Sequence, residues 1–230
     1  LARVIRQHRP DVIVSYALST GMPALRLARR YGIPYVFHVI DALHAIVPSR
    51  LLQPVAHAVE RRLLAAADEV VTINEHLRDY VVRMGARPEH ARVLRTGVDL
   101  NRFAPGMDDR ATREALGIAP GDFVLFFMGW VYSFSGVREV AASLMDAPPG
   151  VRLLVVGDGD DYPALQQMQA DGLGDRLILT GRVPYDRIPA LTSAADVFLL
   201  PFQQTTATEH IVPIKLYEYM ACGKPVVSTP

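Results

Sequence analysis

Short apolar runs alternate with longer segments of helical spacing along the whole chain. Residues 11–16 read as a buried strand and 22–31 as a helix closed by Gly32. Residues 33–40 form a second apolar run, 51–67 carry helical spacing, and 69–73 form a third strand. Asn74 is a good N-cap for the helix that follows and ends at Gly85. Residues 91–98 read as a fourth strand. Residues 99–121 hold Gly, Pro and Asp without a strand pattern and read as a linker with a short helix at 110–116. The alternation then restarts, with strands at 123–130, 151–156, 176–180, 197–200 and 225–228. Helices at 136–146, 162–170, 185–194 and 214–221 lie between them. Continuous apolar strands separated by helices imply a parallel sheet covered on both faces. Two such blocks predict an α/β chain of two doubly wound domains, 1–105 and 106–230. The chain opens inside a helical pattern and stops just after a strand, so a fragment incomplete at both termini is expected. Ligands of such sheets bind beyond the carboxyl ends of the strands. That singles out residues 41–44, 130–135, 157–161, 182–185 and 202–213.

Composition narrows the class. Half of the 230 residues are hydrophobic and 21% are charged, which fits a packed protein and excludes disorder. The longest apolar run has nine residues, too few for a membrane-spanning helix. A single cysteine, Cys222, excludes a disulfide framework, and zinc-type Cys/His spacing is absent. The zero net charge hides an asymmetry. Residues 1–105 hold 15 Arg against nine acidic residues, a surplus of six, and residues 106–230 carry the opposite surplus. A basic half suits an anionic lipid surface or a phosphorylated substrate. The same arginines, with no consecutive basic block, also fit scattered solvated faces.

The segment from Glu209 to Thr229 carries the most chemistry. A polar loop enters a helix with Pro213 near its first turn. A helix N-terminus offers free N–H groups and partial positive charge to a phosphate. Lys215 sits in that first turn, where a cation opposes the helix dipole, so it suits a bound anion. Glu218 lies one turn on and can accept both hydroxyls of a ribose. The same spacing equally fits a surface Glu–Lys pair. Asp158-Gly-Asp160-Asp161 has carboxylates that could hold Mg²⁺. Its setting reads better as a strand-to-helix turn, with Gly157 and Gly159 giving backbone freedom and the aspartates an N-cap. No metal ligand set is assigned.

The segment "KLYEYMACGKPVV" resembles the signature of the group 1 (family 4) glycosyltransferases of GT-B architecture. "LILTGRVPYDRIPALTSAADVFLLPF", "LLVVGDGDDYPAL" and "VVTINEHLRDYVVRMG…VLRTGVDLNRFAP" resemble further family segments in the family's order. Together they cover most of residues 10–230. The resemblance implies two Rossmann-like domains and transfer of a sugar from a nucleotide-diphosphate sugar to a glycan, lipid or small-molecule hydroxyl. It also implies retention of configuration and no cofactor or metal. By the same resemblance Glu218 binds the ribose, and the loop at His210, Ile211 and Val212 meets the diphosphate and sugar. Arg182 and Val183 read the base, and Gly129 lies beside the diphosphate. Asp41 matches an acidic residue of the acceptor cleft, flanked by His38 and His44. Asp41 or His44 would orient or deprotonate an acceptor hydroxyl.

The departures are specific. The family's first Glu falls at His210, with Glu209 one residue off. Its usual Arg and Lys fall at Trp130 and Ser135. Each lost charge-assisted hydrogen bond is worth about 1.5–3 kcal/mol. Lys215, Arg182 and Arg138 are the substitutes at hand. The expected partners are a donor, an acceptor and, for the basic half, an anionic membrane surface, with no nucleic acid. The expected location is cytoplasmic, or peripheral on the inner membrane face. Two rivals stand beside this reading. One is a nucleotide-sugar 2-epimerase, which needs an acid–base pair that only Glu209 and His210 approach. The other is a non-catalytic sugar-nucleotide-binding scaffold, which the changes at Trp130, Ser135 and His210 favour. A dinucleotide oxidoreductase is set aside because no G-x-G-x-x-G follows a first strand.

Overall fold

The computed structural model describes residues 2–45, 47, 49–204 and 213–229. The chain forms two compact units that divide between Thr96 and Gly97. That is nine residues before the boundary expected from composition. Phe103 explains the difference: it is fully buried in the second unit's core, and Val98 packs against the same cluster. The segment after Thr96 is thus part of a domain rather than a free linker.

The first unit runs α1 (Ala2–His8), β1 (Ile13–Ser15), α2 (Leu18–Tyr31), β2 (Tyr35–Val39), α3 (Gln53–Ala66), β3 (Glu69–Thr72), α4 (Glu75–Arg83) and β4 (Ala91–Val93). Its four strands are parallel in the order β1-β2-β3-β4. One core joins Ala24, Leu25 and Ala28 of α2, Leu63 and Leu64 of α3, and Leu77 and Val81 of α4. These pack on Tyr35, Phe37 and Val39 of β2. Alternate residues of one strand therefore face the helices, as the two-residue period requires. Strand β1 is shorter than expected and buries one face only: Ile13 packs on the core and Ser15 is buried. It lies at the sheet edge, and Val12, Val14 and Tyr16 are exposed. Helix α2 starts four residues before the expected position, with Pro23 inside it. The bond that Pro23 cannot make would go to the carbonyl of Ser19, an exposed residue. Asn74 caps α4 as its side chain predicts, accepting from the Leu77 N–H at 2.8 Å.

The second unit runs α5 (Arg110–Ala115), β5 (Phe123–Met128), α6 (Val137–Ser143), β6 (Val151–Val156), α7 (Tyr162–Met168), β7 (Leu177–Gly181), α8 (Ile188–Ser193), β8 (Val197–Leu200), α9 (Ile214–Ala221) and β9 (Val226–Ser228). The strand order is β7-β6-β5-β8-β9, all parallel. The chain winds outward from β5 through β7 and then returns to the other side of β5, so the switch point lies between β5 and β8. The strand β5 feeds two cores. Val124, Phe126 and Met128 belong to one, and Phe127 belongs to the other.

Opposite ends of this sheet are built differently. At the amino ends, Arg113 donates to the carbonyls of Ala194 and Asp122, at 3.0 and 2.5 Å. Asp196 accepts the Val124 N–H at 2.7 Å, and Arg152 donates to Asp122 at 2.5 Å. Buried ends of strands are thereby tied by charged hydrogen bonds. The carboxyl ends open into a cavity. Among the described residues no helix is long and apolar enough to cross a membrane.

Candidate functional site

A cavity of about 290 Å³ lies at the carboxyl ends of β5, β6 and β7 and is bounded by α9. Its floor is backbone. Gly129 and Gly157 end β5 and β6 with φ of 120° and 133°, a region that favours glycine. A Cβ on Gly157 would lie 2.1 Å from the Gly129 carbonyl oxygen. A Cβ on Gly129 would lie 2.6 Å from the Lys215 ammonium. Conformation favours glycine at both positions and space demands it at Gly157, so a ligand can approach the main chain closely.

Three side chains give the cavity its chemistry. Lys215, in the first turn of α9, places Nζ 4.3 Å from the Phe127 ring centroid and 5.3 Å from that of Phe202. Burial pulls its pKa down to about 8, and the nearby Glu218 charge only partly offsets this. Glu218 is buried and accepts the Tyr185 hydroxyl at 2.6 Å through Oε1. That hydrogen bond, with the carboxylate's charge, pushes the Tyr185 phenol up to about 12, so it stays a donor. The alternative of a solvent-facing Glu–Lys pair does not describe this site: the carboxylate is turned to Tyr185. Behind it Tyr219 is fully buried, and its oxygen accepts the Met128 N–H at 2.9 Å. This ties α9 to β5 and fixes the height of Lys215 and Glu218 above the sheet.

Gly129, Trp130, Arg182, Val183, Lys215 and Glu218 all line the cavity. Ser135 does not: it is buried, and its hydroxyl has no partner. Its neighbour Gly136, at φ 70°, presses against Pro201, and a Cβ there would meet the Pro201 carbonyl oxygen at 1.7 Å. Ser135 is therefore withdrawn under the turn. Arg138 pairs with Asp161 at 3.6 Å and is already engaged. Asp161 holds the N-cap position of α7, but its side chain makes no capping bond, contrary to expectation. The turn is instead stitched by main chain, Val131 N–H to Asp158 O and Asp161 N–H to Val131 O. Glu209, His210, Ile211 and Val212 lie outside the described residues. Tyr185 was within a loop singled out by its place after β7, yet nothing local marks it as the partner of a residue 33 positions away.

In the first unit, Asp41 follows β2, and partial burial raises its carboxyl pKa. His44 is a quarter exposed, and its Nδ1 lies 2.8 Å from Oε2 of the fully buried Glu60. His38 lies within β2, and its buried Nε2 has no partner.

Two family models match this chain. One, described as a glycosyl transferase 4-like domain, covers residues 1–97. The other, glycosyl transferases group 1, covers residues 123–230. The chain belongs to the group 1 glycosyltransferases. A D-inositol 3-phosphate glycosyltransferase of Xylanimonas cellulosilytica is 28% identical over 95% of the chain and 55% of that protein. A 2-deoxystreptamine glucosyltransferase of Streptomyces kanamyceticus is 32% identical over 81% of the chain and 50% of its own length. The chain thus spans about half the length of these relatives. Among solved structures, Anabaena Alr3699/HepE in complex with UDP-glucose is 26% identical. It superposes with a TM-score of 0.78 over 99% of this chain and 62% of that one. Sucrose-phosphate synthase from Thermosynechococcus elongatus shares the fold at 20% identity, with a TM-score of 0.79. The glycosyltransferase fold is GT-B, with two parallel sheets flanked by helices.

Proposed function

We propose that this glycosyltransferase chain belongs to an enzyme that moves a sugar from a nucleoside-diphosphate sugar to an acceptor hydroxyl. The observation that carries the reading is the Lys215–Glu218–Tyr185 arrangement over a glycine floor. A diphosphate brings the negative charge that the buried Lys215 ammonium lacks, and the first-turn N–H groups of α9 add partial positive charge. Glu218 has one oxygen committed to Tyr185, which leaves Oε2 for a ribose hydroxyl. Lys215 thereby supplies charge that the family's Arg and Lys supply elsewhere. As the glycosidic bond breaks, charge grows on the diphosphate, and a fixed ammonium lowers the barrier. The relative solved with UDP-glucose supports the donor class. The first unit is the acceptor side in this reading, with Asp41 and His44 after β2 facing an acceptor hydroxyl. Relatives named for inositol phosphate and 2-deoxystreptamine support a polyol acceptor.

Calorimetry on the full-length parent protein tests the donor part, with UDP, GDP, ADP and CMP as ligands. One nucleoside diphosphate binds selectively, and Glu218→Ala weakens it. Binding of none of them by folded protein overturns the reading and puts the scaffold alternative in its place. Metal independence is part of the proposal, so turnover persists in EDTA. The basic surplus of the first half supports contact with an anionic surface. Vesicle binding that is insensitive to salt would refute that contact.

A further inference from the structure

The first unit holds a polar cluster that the donor site does not use. Glu60 of α3 is completely buried, and both of its oxygens are engaged by groups of the protein. Oε1 accepts from the Leu43 N–H at 3.3 Å and the Tyr80 hydroxyl at 2.9 Å. Oε2 accepts from the His44 N–H at 3.0 Å and faces His44 Nδ1 at 2.8 Å. The Tyr80 oxygen also lies 3.1 Å from that same Nδ1. The tautomer follows from proton counting. Tyr80 has one proton, and it goes to Glu60. A carboxylate only accepts. Nδ1 therefore carries the hydrogen and shares it between Glu60 and the Tyr80 oxygen. In the neutral ring Nε2 is then the lone-pair nitrogen, and among the described residues both hydrogen-bond contacts of the ring fall on Nδ1. His57 of α3 meets the ring edge-on at 4.8 Å, and Tyr80 of α4 lies nearly parallel to it at 6.3 Å, so the ring plane is held from two helices.

We infer that Glu60 is a positioning residue: with Tyr80 it fixes His44 so that Nε2 accepts a hydrogen bond from an acceptor hydroxyl. The inference rests on the proposed transfer reaction and adds the group of the acceptor that is read. A lone-pair nitrogen takes a hydroxyl or ammonium hydrogen and turns away a bare phosphate oxygen, so the cluster selects the nucleophilic end of a polyol. The geometry parallels other buried carboxylate–histidine pairs, in which the carboxylate sets tautomer and aim. The groups facing His44 are Glu60 and His57 from α3 and Tyr80 from α4; burial, with the Glu60 charge, raises the Tyr80 phenol and keeps it protonated.

The experiment has two arms on the full-length protein. In the first, ¹⁵N-histidine spectra recorded across pH, with His44 assigned by His44→Gln, show that the neutral form of the ring carries its hydrogen on Nδ1. A neutral form with its hydrogen on Nε2 overturns the inference. This arm uses wild-type protein and does not depend on a variant folding. In the second, Glu60→Gln removes the carboxylate charge and leaves a single acceptor oxygen for donors that now use two, so the Nδ1–H tautomer and the aim of the ring are held less firmly. Transfer is followed with glucose, inositol, 2-deoxystreptamine and water as acceptor probes. The acceptor KM rises about ten-fold or more, while the nucleotide Kd stays at the wild-type value. Unchanged acceptor kinetics in Glu60→Gln removes this inference and leaves the donor reading standing. No turnover of any donor with any probe removes both.

Discussion

Replacing Lys215 with methionine should stabilise the ligand-free protein and weaken its hold on a nucleoside diphosphate. The ammonium is withdrawn from water over Phe127, and among the described residues no carboxylate pairs with it, since Glu218 is turned to Tyr185. Its pKa falls from 10.5 to about 8 on folding. The unfolded chain thus binds the proton more tightly, and keeping the charge costs stability at pH 7. A shift of that size corresponds to about 1–3 kcal/mol after discounting residual solvent access and the attraction to the rings. Methionine has similar length and removes the charge, so the variant gains stability of that order. The pH dependence carries the sign. Wild-type stability rises from about pH 8 toward pH 10.5 as the folded lysine sheds its proton, and the methionine variant lacks that increment. Urea unfolding at pH 7 and pH 10, paired with calorimetry of the nucleotide, checks both halves. Binding should fall by about ten- to a hundred-fold for one lost charge-assisted contact. A methionine variant that is less stable at pH 7, or that binds nucleotide as well as wild type, would refute the reasoning.

Other substitutions separate the site from the scaffold. Tyr185→Phe leaves buried Glu218 without its donor, and nucleotide affinity drops several-fold in the same calorimetric assay, with stability lowered by about 1–3 kcal/mol. Gly129→Ala puts a methyl into the space of the Lys215 ammonium at a left-handed φ, so nucleotide binding is lost well before the fold. Gly136→Ala meets backbone rather than a flexible side chain, 1.7 Å from the Pro201 oxygen, and the expected result is poor folding, read by circular dichroism. Asn74→Ala lowers stability by about 1 kcal/mol through loss of the α4 cap, and leaves nucleotide binding untouched.

The alternation of apolar runs and helical spacing carried the order of elements, because the inner strands β5, β6 and β8 bury consecutive residues and so are covered on both faces. The edge strand β1 broke that rule: three apolar residues, Val12, Val14 and Tyr16, look like a buried run in one dimension and stand exposed at a sheet edge in three. The domain boundary slipped for a similar reason, since one phenylalanine, Phe103, anchors a loop whose composition reads as linker. In the cavity, Gly129 came from the family resemblance, whereas Arg182, Lys215 and Glu218 were legible because chemistry at strand and helix ends has a short-range signature. Tyr185, Glu60 and Tyr80 were not. Each acts through a partner 16–36 positions away, and no local spacing encodes such a meeting.

The charged ties at the amino ends of the second sheet bear on how freely its other end can change. Arg113, Asp122, Arg152 and Asp196 close that end with hydrogen bonds among themselves and to nearby main chain, and none of them lines the cavity. The loops that do line it, after β5 and β7, leave from the opposite rim. Cohesion and ligand choice are thus assigned to opposite ends of the same strands. A chimaera that exchanges residues 130–135 or 182–187 for a relative's loop would alter the preferred nucleotide without loosening the latch, which makes this rim a natural place for donor preference to diversify.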